Sequence, residues 1–471
     1  MDKEKWSVEL QQTQTSSIIE KILTEYKSRT VKSRQLWEAA REKLPSGSSR
    51  TSVFYPPYPC YAQRAQGSKI VDVDGNERVD YCYNFTSLIL GHRHPVVLKA
   101  VNHQIENGTV FGAPTELELT HAEIIKKRMP SLERVRYSVT GSEACMFAIR
   151  LARAYTRRDK VAKFEGGYHG SSDPASVGVH PPIVDIGSNE LAPLPETAGL
   201  APGTLENTVM LPFNNFEETE AILRKNRRDL ACLIVEPMMR GIPPAPDFLQ
   251  FLRELTHDLD IVLIFDEVIT GFRLSAGGAQ EEYGVRPDLT TMGKVIGGGF
   301  PIGAIGGKEE IMSLMAYENT EFLAYKGAGV PHAGTFNAHP ITLAAGIATL
   351  NELSPESYAK LDETGEQIRK GFIEATSSLG VEAQVVGIGS CFDIYFTNKV
   401  VEDYRSAHRG NQLFRRCLDL DLSNRGVFLP PQHFGCTSTV TSRDDIQATM
   451  RVVHDSLHTL FPLIKEGASH L

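Results

Sequence analysis

Long apolar runs are missing from this sequence. Nowhere in its 471 residues does an uninterrupted hydrophobic segment approach the roughly 18 residues that a membrane-spanning helix requires. Residues 1–15 carry acidic and amide side chains where a secretory signal needs an apolar stretch. We therefore expect neither a membrane span nor a secretory signal, and we expect a cytoplasmic protein.

Cysteine is scarce and scattered. The seven cysteines are odd in number, none belongs to a CxxC pair, and they lie at positions 60, 82, 145, 232, 391, 417 and 436. This pattern argues against a disulfide framework and against a zinc site, so we expect reduced thiols. His92 and His94 resemble a pair of metal ligands, but no Cys or carboxylate cluster accompanies them. We predict no metal.

Basic residues are also in the minority. Forty-nine Lys and Arg face 58 Asp and Glu, which gives a formal charge of -9, and no Lys/Arg stripe forms a positive segment. Nucleic acid is therefore an unexpected partner. Hydrophobic residues make up 41% and charged residues 23%, ordinary values for a globular chain. A chain of this length has room for a large core and for two or three domains.

What is present is an alternation of helical stretches with short β-branched runs. The predicted strands lie at 134–139, 160–164, 230–235 and 261–265. Such alternation is typical of a parallel sheet covered by helices. Residues 69–79 predict a hairpin, because Asp74-Gly75-Asn76 is a turn sequence between two β-branched runs.

The two ends of the chain read differently from its middle. Apolar spacing predicts two short helices over 16–44, then a break at Pro45-Ser46-Gly47. Segment 171–214 is rich in Pro, Gly and Ser, which favours a functional loop that could cover a site. After Pro340 we predict helices at 341–353, 411–422 and 444–460 and a strand at 391–396. The division we expect is an arm with part of a small domain (1–100), a large domain (101–339) and a C-terminal small domain (340–471).

The predicted strand 261–265 runs into Asp266 and Glu267. Ligands of open α/β sheets bind beyond the carboxyl ends of the strands, so a charge here faces a site. Such a carboxylate could bind a metal, act as a base or hold a protonated ring nitrogen. It could equally cap a helix or form a structural ion pair.

Lys294 follows 28 residues after Asp266, between Gly293 and the run Gly297-Gly298-Gly299. Small residues let a planar ligand approach the backbone, and burial would lower the pKa of this lysine and free its amine for imine formation. A surface lysine is the common alternative. The buried lysine and the acidic strand end together fit an enzyme that uses pyridoxal 5′-phosphate (PLP), in which Asp keeps the pyridine nitrogen protonated.

Two further segments suit such a cofactor. Gly141 and Ser142 stand at a predicted helix start, where free N–H groups can cradle a phosphate, although a serine N-cap would explain them too. Phe164 and Tyr168 place two aromatic rings near a strand end, where either could stack on a flat ligand or pack in the core. Cys145, in the first turn of that helix, could have a lowered pKa or be a packed thiol.

Over about residues 36–460 the sequence resembles the class III aminotransferases, whose architecture is fold-type I. The resemblance is carried by the strings FGAPTELE, KFEGGYHG, IFDEVITGFR and LTTMGKVIGGGFPIGAIGG. The sequence is most similar to glutamate-1-semialdehyde 2,1-aminomutase and to β-amino-acid aminotransferases. The resemblance implies an α/β large domain with a mostly parallel sheet covered by helices, and a smaller α+β domain formed by the N- and C-terminal parts.

The same resemblance implies roles for individual residues. Lys294 would form the Schiff base with PLP and Asp266 would pair with the pyridine nitrogen. The ring would lie between Val268 and Tyr168, and Glu236 would lie near the cofactor. The phosphate would be held by Gly141 and Ser142 of one subunit and by Thr335 of the neighbouring subunit. This implies a homodimer with shared active sites.

The substrate contacts depart from the family patterns. The aminomutase pattern has an arginine where this chain has Val53 and a glutamate where it has Gly435. Arg50 instead matches an arginine that β-amino-acid aminotransferases use for the substrate carboxylate, or it is a surface residue. The second, C-terminal arginine of that group appears as Gln432 or His433.

These patterns predict a PLP-dependent aminotransferase. It would move an amino group between a small amino acid or amine and a keto acid or other carbonyl acceptor. The candidate donors include β-amino acids. The alternative is glutamate-1-semialdehyde 2,1-aminomutase or a related isomerase.

Overall fold

The computed structural model describes residues 17–182, 191–321, 324–326, 329–431 and 433–467. A seven-stranded sheet lies at its centre. Its strands, in order across the sheet, are Arg134–Ser138, Gly303–Gly307, Leu289–Gly293, Val262–Asp266, Leu230–Val235, Lys160–Phe164 and Thr208–Leu211. The four strands that the sequence predicts for this region are all present, within one residue at each end.

One strand breaks the parallel pattern. Gly303–Gly307 runs antiparallel to both of its neighbours, whereas the remaining pairs are parallel. Sequence reasoning missed this strand, because glycine disfavours strands. The reason for glycine lies in the packing: a Cβ on Gly303 would overlap the carbonyl oxygen of Thr140. The absence of a side chain at Gly303 therefore lets the loop before the helix Gly141–Thr156 approach the sheet.

Both faces of the sheet are covered. Alternate side chains of a strand point to opposite faces, so a strand buried on both sides is apolar throughout. In the strand Val262–Asp266, Ile264 packs in the core that includes the helix Gly141–Thr156. Phe265 packs in the opposite core, which includes the helix Phe248–Asp258. These two layers fix the carboxyl ends of the strands in space.

The remaining helices surround this centre. Those of eight residues or more are 17–29, Val31–Arg41, Pro95–Asn107, Glu116–Arg128, Phe216–Asn226, Pro340–Glu352, Pro355–Ser378, Gln412–Asn424 and Arg443–Gly467. Shorter ones are Pro202–Glu206, Gly278–Tyr283, Glu309–Met312 and Tyr404–His408. None of the described helices is both long and apolar enough to cross a bilayer.

Smaller sheets lie outside the centre. One contains Ala62–Gln66, Lys69–Asp72, Glu77–Asp80 and Val427–Phe428; another contains Gln384–Val386, Cys391–Tyr395 and Gly435–Cys436; a two-stranded ribbon contains Glu318–Glu321 and Ala324–Lys326. The strand Val427–Phe428 pairs with Glu77–Asp80, so the C-terminal part of the chain completes a sheet begun near the N-terminus. The domain boundaries at 100 and 339 stay a prediction.

The predicted hairpin is confirmed and has an added role. Lys69–Asp72 pairs antiparallel with Glu77–Asp80. The carboxylate of Asp74, in the turn, accepts hydrogen bonds from the backbone N–H groups of Lys32 at 2.6 Å and Ser33 at 2.9 Å. It thus satisfies N–H groups at the start of the helix Val31–Arg41, for which Thr30 provides no side-chain cap.

Two expectations need correction. Segment 171–214 is not a loop throughout, because it contains the helix Pro202–Glu206 and the edge strand Thr208–Leu211; its residues 183–190 lie outside the described ranges. The helix Pro355–Ser378 was missed. Its sequence is polar on most faces, and its start is marked by a box in which the hydroxyl of Ser354 accepts from the N–H of Ser357.

Candidate active site

Asp266 and Lys294 lie at the same edge of the central sheet. Asp266 is the last residue of one strand, and Lys294 directly follows the neighbouring strand Leu289–Gly293. The two strands are parallel, with Asp266 paired in register with Thr291. Their carboxyl ends therefore meet, and the two side chains that the sequence separates by 28 positions share one site.

Asp266 is a buried carboxylate, 5% exposed, with four donors around it. It accepts hydrogen bonds from Nδ1 of His169 at 2.8 Å, Oγ1 of Thr291 at 3.0 Å, the N–H of Val268 at 3.2 Å and Sγ of Cys145 at 3.3 Å. Burial alone would raise the pKa of Asp266, but the bond and charge of His169, with the other donors, hold it below its ordinary value. The group is therefore charged and fixed in direction.

Lys294 opens a short 3₁₀ turn with a positive φ of 49°. Left-handed backbone costs a non-glycine residue about 1–3 kcal/mol, so packing around the strand end must hold it there. The side chain is partly exposed, and desolvation lowers the pKa of its amine, against the opposing charges of Asp266 and Glu236. The lysine is thus neither a surface residue nor a fully paired cation.

The helix Gly141–Thr156 offers free backbone donors at its start. Its N-cap is Thr140, whose hydroxyl accepts from the N–H of Glu143 at 3.1 Å, so Ser142 does not serve as the cap. The first N–H groups of a helix have no acceptor within it. Those of Gly141 and Ser142 remain for an anion, favoured by the positive end of the helix dipole.

Glycines bring the walls of this cradle close together. A Cβ on Gly141 would come within 2.9 Å of the methyl carbons of Val268. Gly170, at a φ of +88°, lies against Ser142 so closely that a Cβ would overlap its hydroxyl. The backbone approaches Val268 and Ser142 this closely only because these two positions carry no side chains.

The two aromatic rings have different places. Phe164 is buried in the core against Phe213 and Phe248, so it packs rather than faces the site. Tyr168 is 53% exposed, and its N–H donates to Oε1 of Glu236 at 2.7 Å. Of the two, only Tyr168 is free to contact a ligand.

Two further carboxylates near the strand ends, Glu236 and Glu267, have different surroundings. Glu236 is buried, and burial raises its pKa. Glu267 turns away from the site and accepts from the N–H groups of Ala279 at 2.6 Å and Gln280 at 3.3 Å. Burial raises the pKa of Glu267 to about 7. The capping alternative thus describes Glu267, whereas Asp266 faces the site.

Cys145 is a packed thiol. It is 1% exposed, and burial together with the charge of Asp266 raises its pKa well above the ordinary value. The lowered pKa that its position in the first helical turn suggested is wrong, because the helix terminus is outweighed by desolvation and by a neighbouring carboxylate. His92, which resembled a metal ligand in the sequence, forms a hydrogen bond from Nε2 to the carboxylate of Asp80 at 2.7 Å.

Sequence reasoning missed a left-handed turn in the N-terminal part of the chain. Four consecutive residues, Tyr83 to Thr86, have φ values of 43°, 50°, 56° and 74°. The carboxylate of Asp80 accepts from the N–H of Tyr83 at 3.0 Å, and Nη2 of the buried Arg273 donates to the carbonyl of Thr86 at 2.6 Å. These contacts hold the strained backbone in place, and strained backbone of this kind clusters at functional sites.

The substrate candidates gather at that turn. Arg50 is exposed and donates from Nη1 to Oδ1 of Asn84 at 2.9 Å. The ring of Phe85 meets His433 with centroids 5.5 Å apart. Gln432 lies outside the described residues.

The two positions that depart from the aminomutase pattern are apolar or closed. Val53 ends a 3₁₀ turn and is partly exposed. Gly435 is buried, and a Cβ there would come within 2.6 Å of the ring of Phe392. The space of a larger side chain at 435 is therefore already filled.

Thr335 stands apart from these groups. It lies in the exposed segment before the helix Pro340–Glu352, next to the exposed Phe336. Its expected contact involves a second subunit and stays a prediction.

Sequence reasoning missed two of the donors that define the site. His169 and Thr291 both bond Asp266. The signal for Thr291 was its position in the strand next to Asp266. His169 lies in the string KFEGGYHG, but no sequence pattern there distinguishes a hydrogen-bonded histidine from a packed one.

Comparison with known proteins adds to this geometry. The family model described as aminotransferase class-III matches residues 51–432. A glutamate-1-semialdehyde 2,1-aminomutase from Methanothermobacter thermautotrophicus is 42% identical, with 91% of this chain and 100% of that protein covered. An omega-transaminase from Sphaerobacter thermophilus superposes with a TM-score of 0.84 at 41% identity, covering 90% of this chain and 97% of its own. A β-phenylalanine aminotransferase from Variovorax paradoxus gives 0.85 at 30% identity, covering 95% and 99%.

Proposed function

This chain belongs to the class-III aminotransferases, and from that premise we propose that it transfers an amino group from a small amino acid to a separate carbonyl acceptor, with Arg50 binding the substrate carboxylate. The family makes it a PLP-dependent enzyme of fold-type I. β-Amino acids are the donors that we favour. The proposal concerns the substrate contacts and the residues that serve the cofactor.

The described residues fit PLP. The start of the helix Gly141–Thr156 suits its phosphate, and the charged Asp266 suits a protonated ring nitrogen. Lys294 provides an amine, and Tyr168 and Val268 provide two faces for a ring. The residues that would hold the cofactor are Gly141, Ser142, Tyr168, Glu236, Asp266, Val268 and Lys294. When bound, PLP supplies an electron sink for charge that develops on the substrate carbon.

Lys294 and Asp266 would act on protons. The lowered pKa of Lys294 favours a neutral amine, which can take a proton from the substrate carbon and return it at another position. Asp266, with its lowered pKa, stays ionised and would stabilise a protonated ring nitrogen when the cofactor is bound. His169 fixes the orientation of that carboxylate.

Arg50 would orient the substrate. Its Nη1 is bonded to Asn84, which aligns the guanidinium, and its other donors remain for a ligand. A guanidinium can bind a carboxylate through two parallel N–H···O bonds. Among the candidates, this side chain alone is both cationic and exposed at the left-handed turn.

The observation that carries the proposal is the closed space at Gly435. The ring of Phe392 lies where a side chain at 435 would project, so the glutamate of the aminomutase pattern has no place there. Val53 adds to this, because an apolar side chain cannot replace the arginine of that pattern. These features support a donor and an acceptor that are separate molecules.

The aminomutase remains the second candidate, favoured by the similarity to the protein of that name from Methanothermobacter thermautotrophicus. An aminomutase returns the amino group to the adjacent carbon of the same molecule, so it needs no second substrate. The two candidates share Lys294 and Asp266 and differ only in what binds the substrate. The chemistry of the cofactor therefore cannot separate them, and the products can.

The test is a product assay on the holoenzyme. A β-amino acid, an α-amino acid and a simple amine are each incubated with and without a keto acid, beside glutamate-1-semialdehyde alone. We expect a carbonyl product from the β-amino acid that requires the keto acid. Isomerisation of glutamate-1-semialdehyde without an acceptor, and no transfer from any donor, would contradict the proposal.

A homodimer belongs to the same proposal. Thr335 is exposed on its own subunit and is available to a neighbour's phosphate. Leu98 and Phe300, both exposed, line one groove beside the glycine run that follows Lys294. Exposed apolar residues that cluster near a site favour an interface at that place.

A further inference from the structure

Arg240 is held in place beside the candidate site. It has a positive φ of 52°. Its Nε donates to the carbonyl of Gly166 at 2.5 Å, its Nη2 donates to the carbonyl of Val179 at 2.9 Å, and its guanidinium carbon lies 5.5 Å from the ring centre of Tyr404. Three contacts thus fix the plane of this guanidinium.

One end of the guanidinium remains open. Within the described part of the chain Nη1 of Arg240 has no hydrogen-bond partner, and it is not buried. No described Asp or Glu forms an ion pair with it either, in contrast to the arginines of the pairs Arg78–Asp72, Arg405–Glu165 and Arg415–Asp393. A preorganised cation without a carboxylate can accept one from a ligand.

The surroundings connect Arg240 to the site. Gly166, which it bonds, lies two residues before Tyr168, and Glu236 lies four residues before Arg240 in the chain. Gly241 packs on Phe434, since a Cβ there would come within 2.9 Å of that side chain. Arg240 therefore lies near His433, which is one of the two positions where the C-terminal arginine of the β-amino-acid aminotransferases is missing.

A row of contacts runs from His433 to the proposed carboxylate site. The ring of His433 meets Phe85, Phe85 follows Asn84, and Asn84 bonds Arg50. Arg240 lies close enough to His433 to lower its pKa, so Arg50 and Arg240 flank the contacts that run from Asn84 to His433. A ligand with a carboxylate at each end has a cation available at each end.

His433 does not supply the second charge. Burial and, next, the positive charge of Arg240 lower the pKa of His433 to about 4. The imidazole is therefore neutral near pH 7. A second arginine, Arg415, donates from Nη2 to the carbonyl of His433 at 3.1 Å, but it is paired with Asp393 and Asp419. Arg240 is the cation near His433 that has no carboxylate partner among the described residues.

We propose that Arg240 binds the second carboxylate of a dicarboxylic substrate, in place of the arginine that the C-terminal segment lacks. The proposal rests on the proposed function for the reaction itself, but it concerns binding alone. The competing account is that Arg240 only holds the carbonyls of Gly166 and Val179. That account predicts equal effects on every ligand.

The test is calorimetric binding of unreactive acids to the PLP-loaded enzyme. The probes are the dicarboxylates from malonate to adipate, with valerate as a monocarboxylate of similar length to glutarate. We expect Arg240→Gln to weaken the best dicarboxylate about ten- to a hundredfold, the range for a charged hydrogen bond. The affinity for valerate should change by less than about twofold, and Arg240→Lys should recover part of the loss.

Tyr404→Phe is the matched control. Its hydroxyl donates to the carbonyl of Pro181 at 3.2 Å, so the variant removes an anchor in the same region and keeps the ring beside Arg240. We expect it to bind the dicarboxylates like the wild type. Equal losses for both acids in Arg240→Gln, or a comparable loss in Tyr404→Phe, would overturn the proposal.

Failure of the proposed function is separable from failure of this inference. Absence of tight dicarboxylate binding by the wild type overturns the role of Arg240, whatever the reaction. Arg240-dependent dicarboxylate binding by an enzyme that transfers no amino group supports the role of Arg240 and contradicts the aminotransferase proposal. If transfer occurs, the ratio of kcat/KM for 2-oxoglutarate to that for pyruvate should fall about ten- to a hundredfold in Arg240→Gln.

Discussion

Nδ1 of His169 donates to Oδ2 of Asp266 at 2.8 Å, and both side chains are buried. The two residues lie 97 positions apart in the chain. Their bond sets the direction of the carboxylate at the carboxyl end of the central strand and contributes to its lowered pKa. We infer that His169 is a positioning residue, which acts on the cofactor through Asp266.

His169→Phe should slow turnover and change its pH dependence. Removing a hydrogen bond to a buried charge costs about 1.5–3 kcal/mol, which corresponds to about ten- to over a hundredfold in rate. Because His169 lowers the pKa of Asp266, its loss should raise that pKa and move the acid limb of the rate profile to higher pH. The check is kcat/KM against pH for wild type, His169→Phe and His169→Gln, which keeps a donor. A slower enzyme with an unmoved acid limb would reduce His169 to a packing role.

Asp266→Asn should bind PLP but abstract the substrate proton several orders of magnitude more slowly. A neutral amide cannot stabilise a protonated ring nitrogen. Single-turnover kinetics with a saturating donor measure this step directly. Combined with His169→Phe, the losses should be far from additive, because both changes act on one carboxylate. Near-normal single-turnover rates in Asp266→Asn would remove it from the mechanism.

Much of the site could be predicted because its geometry follows from sheet topology. Apolar runs marked the parallel strands, and parallel strands bring residues that follow them, such as Asp266 and Lys294, to one edge. Local patterns could not predict which polar neighbours converge there. His169 and Arg240 reach the site through tertiary packing, whereas Thr291 lies in the strand that pairs with Asp266.

The fold was predicted where periodicity is strong. The strand Gly303–Gly307 escaped because glycine was selected for close backbone approach, not for strand propensity. The turn at Tyr83 to Thr86 escaped for the opposite reason. Nothing in these four residues predicts left-handed backbone. Two of the contacts that hold it come from Asp80 and from the buried Arg273, which lies far along the chain.

Lys294→Ala should abolish covalent attachment of PLP while leaving the fold intact. The proposed attachment point is the amine of Lys294, and alanine removes that amine. Borohydride reduction followed by peptide mapping should label Lys294 in the wild type. Lys308→Ala is the control, since that exposed lysine pairs with Asp288 at 2.7 Å nearby. A label on another lysine would sink the assignment.

Thr335→Ala should weaken phosphate binding in a dimer without dissociating it. We expect sedimentation to show a homodimer or a larger assembly built from dimers, because Thr335 can reach a neighbour's phosphate only across an interface. Loss of one hydrogen bond to a charged group predicts about ten- to over a hundredfold weaker PLP binding. Fluorescence titration of the apoenzyme measures it. A fully active monomer at assay concentration would exclude this role.

Arg50→Ala should raise KM strongly for donors with a carboxylate and little for simple amines. A charged, hydrogen-bonded contact is worth about 1.5–3 kcal/mol, so kcat/KM should fall about ten- to over a hundredfold for a β-amino acid. Asn84→Ala should show a smaller loss with the same selectivity, because Asn84 aligns the guanidinium through its 2.9 Å bond but carries no charge itself.

The matched control for that prediction is Arg64→Ala, on the strand Ala62–Gln66, where the arginine is exposed. It changes net charge equally, so any long-range effect on charged substrates appears in both variants. Subtracting its effect isolates the contact that Arg50 makes. An aminomutase of the other pattern would not depend on Arg50, since its contacts fall at Val53 and Gly435. Equal losses for charged and uncharged donors in Arg50→Ala would therefore assign Arg50 to the stability of the left-handed turn and leave the carboxylate without a binding residue there.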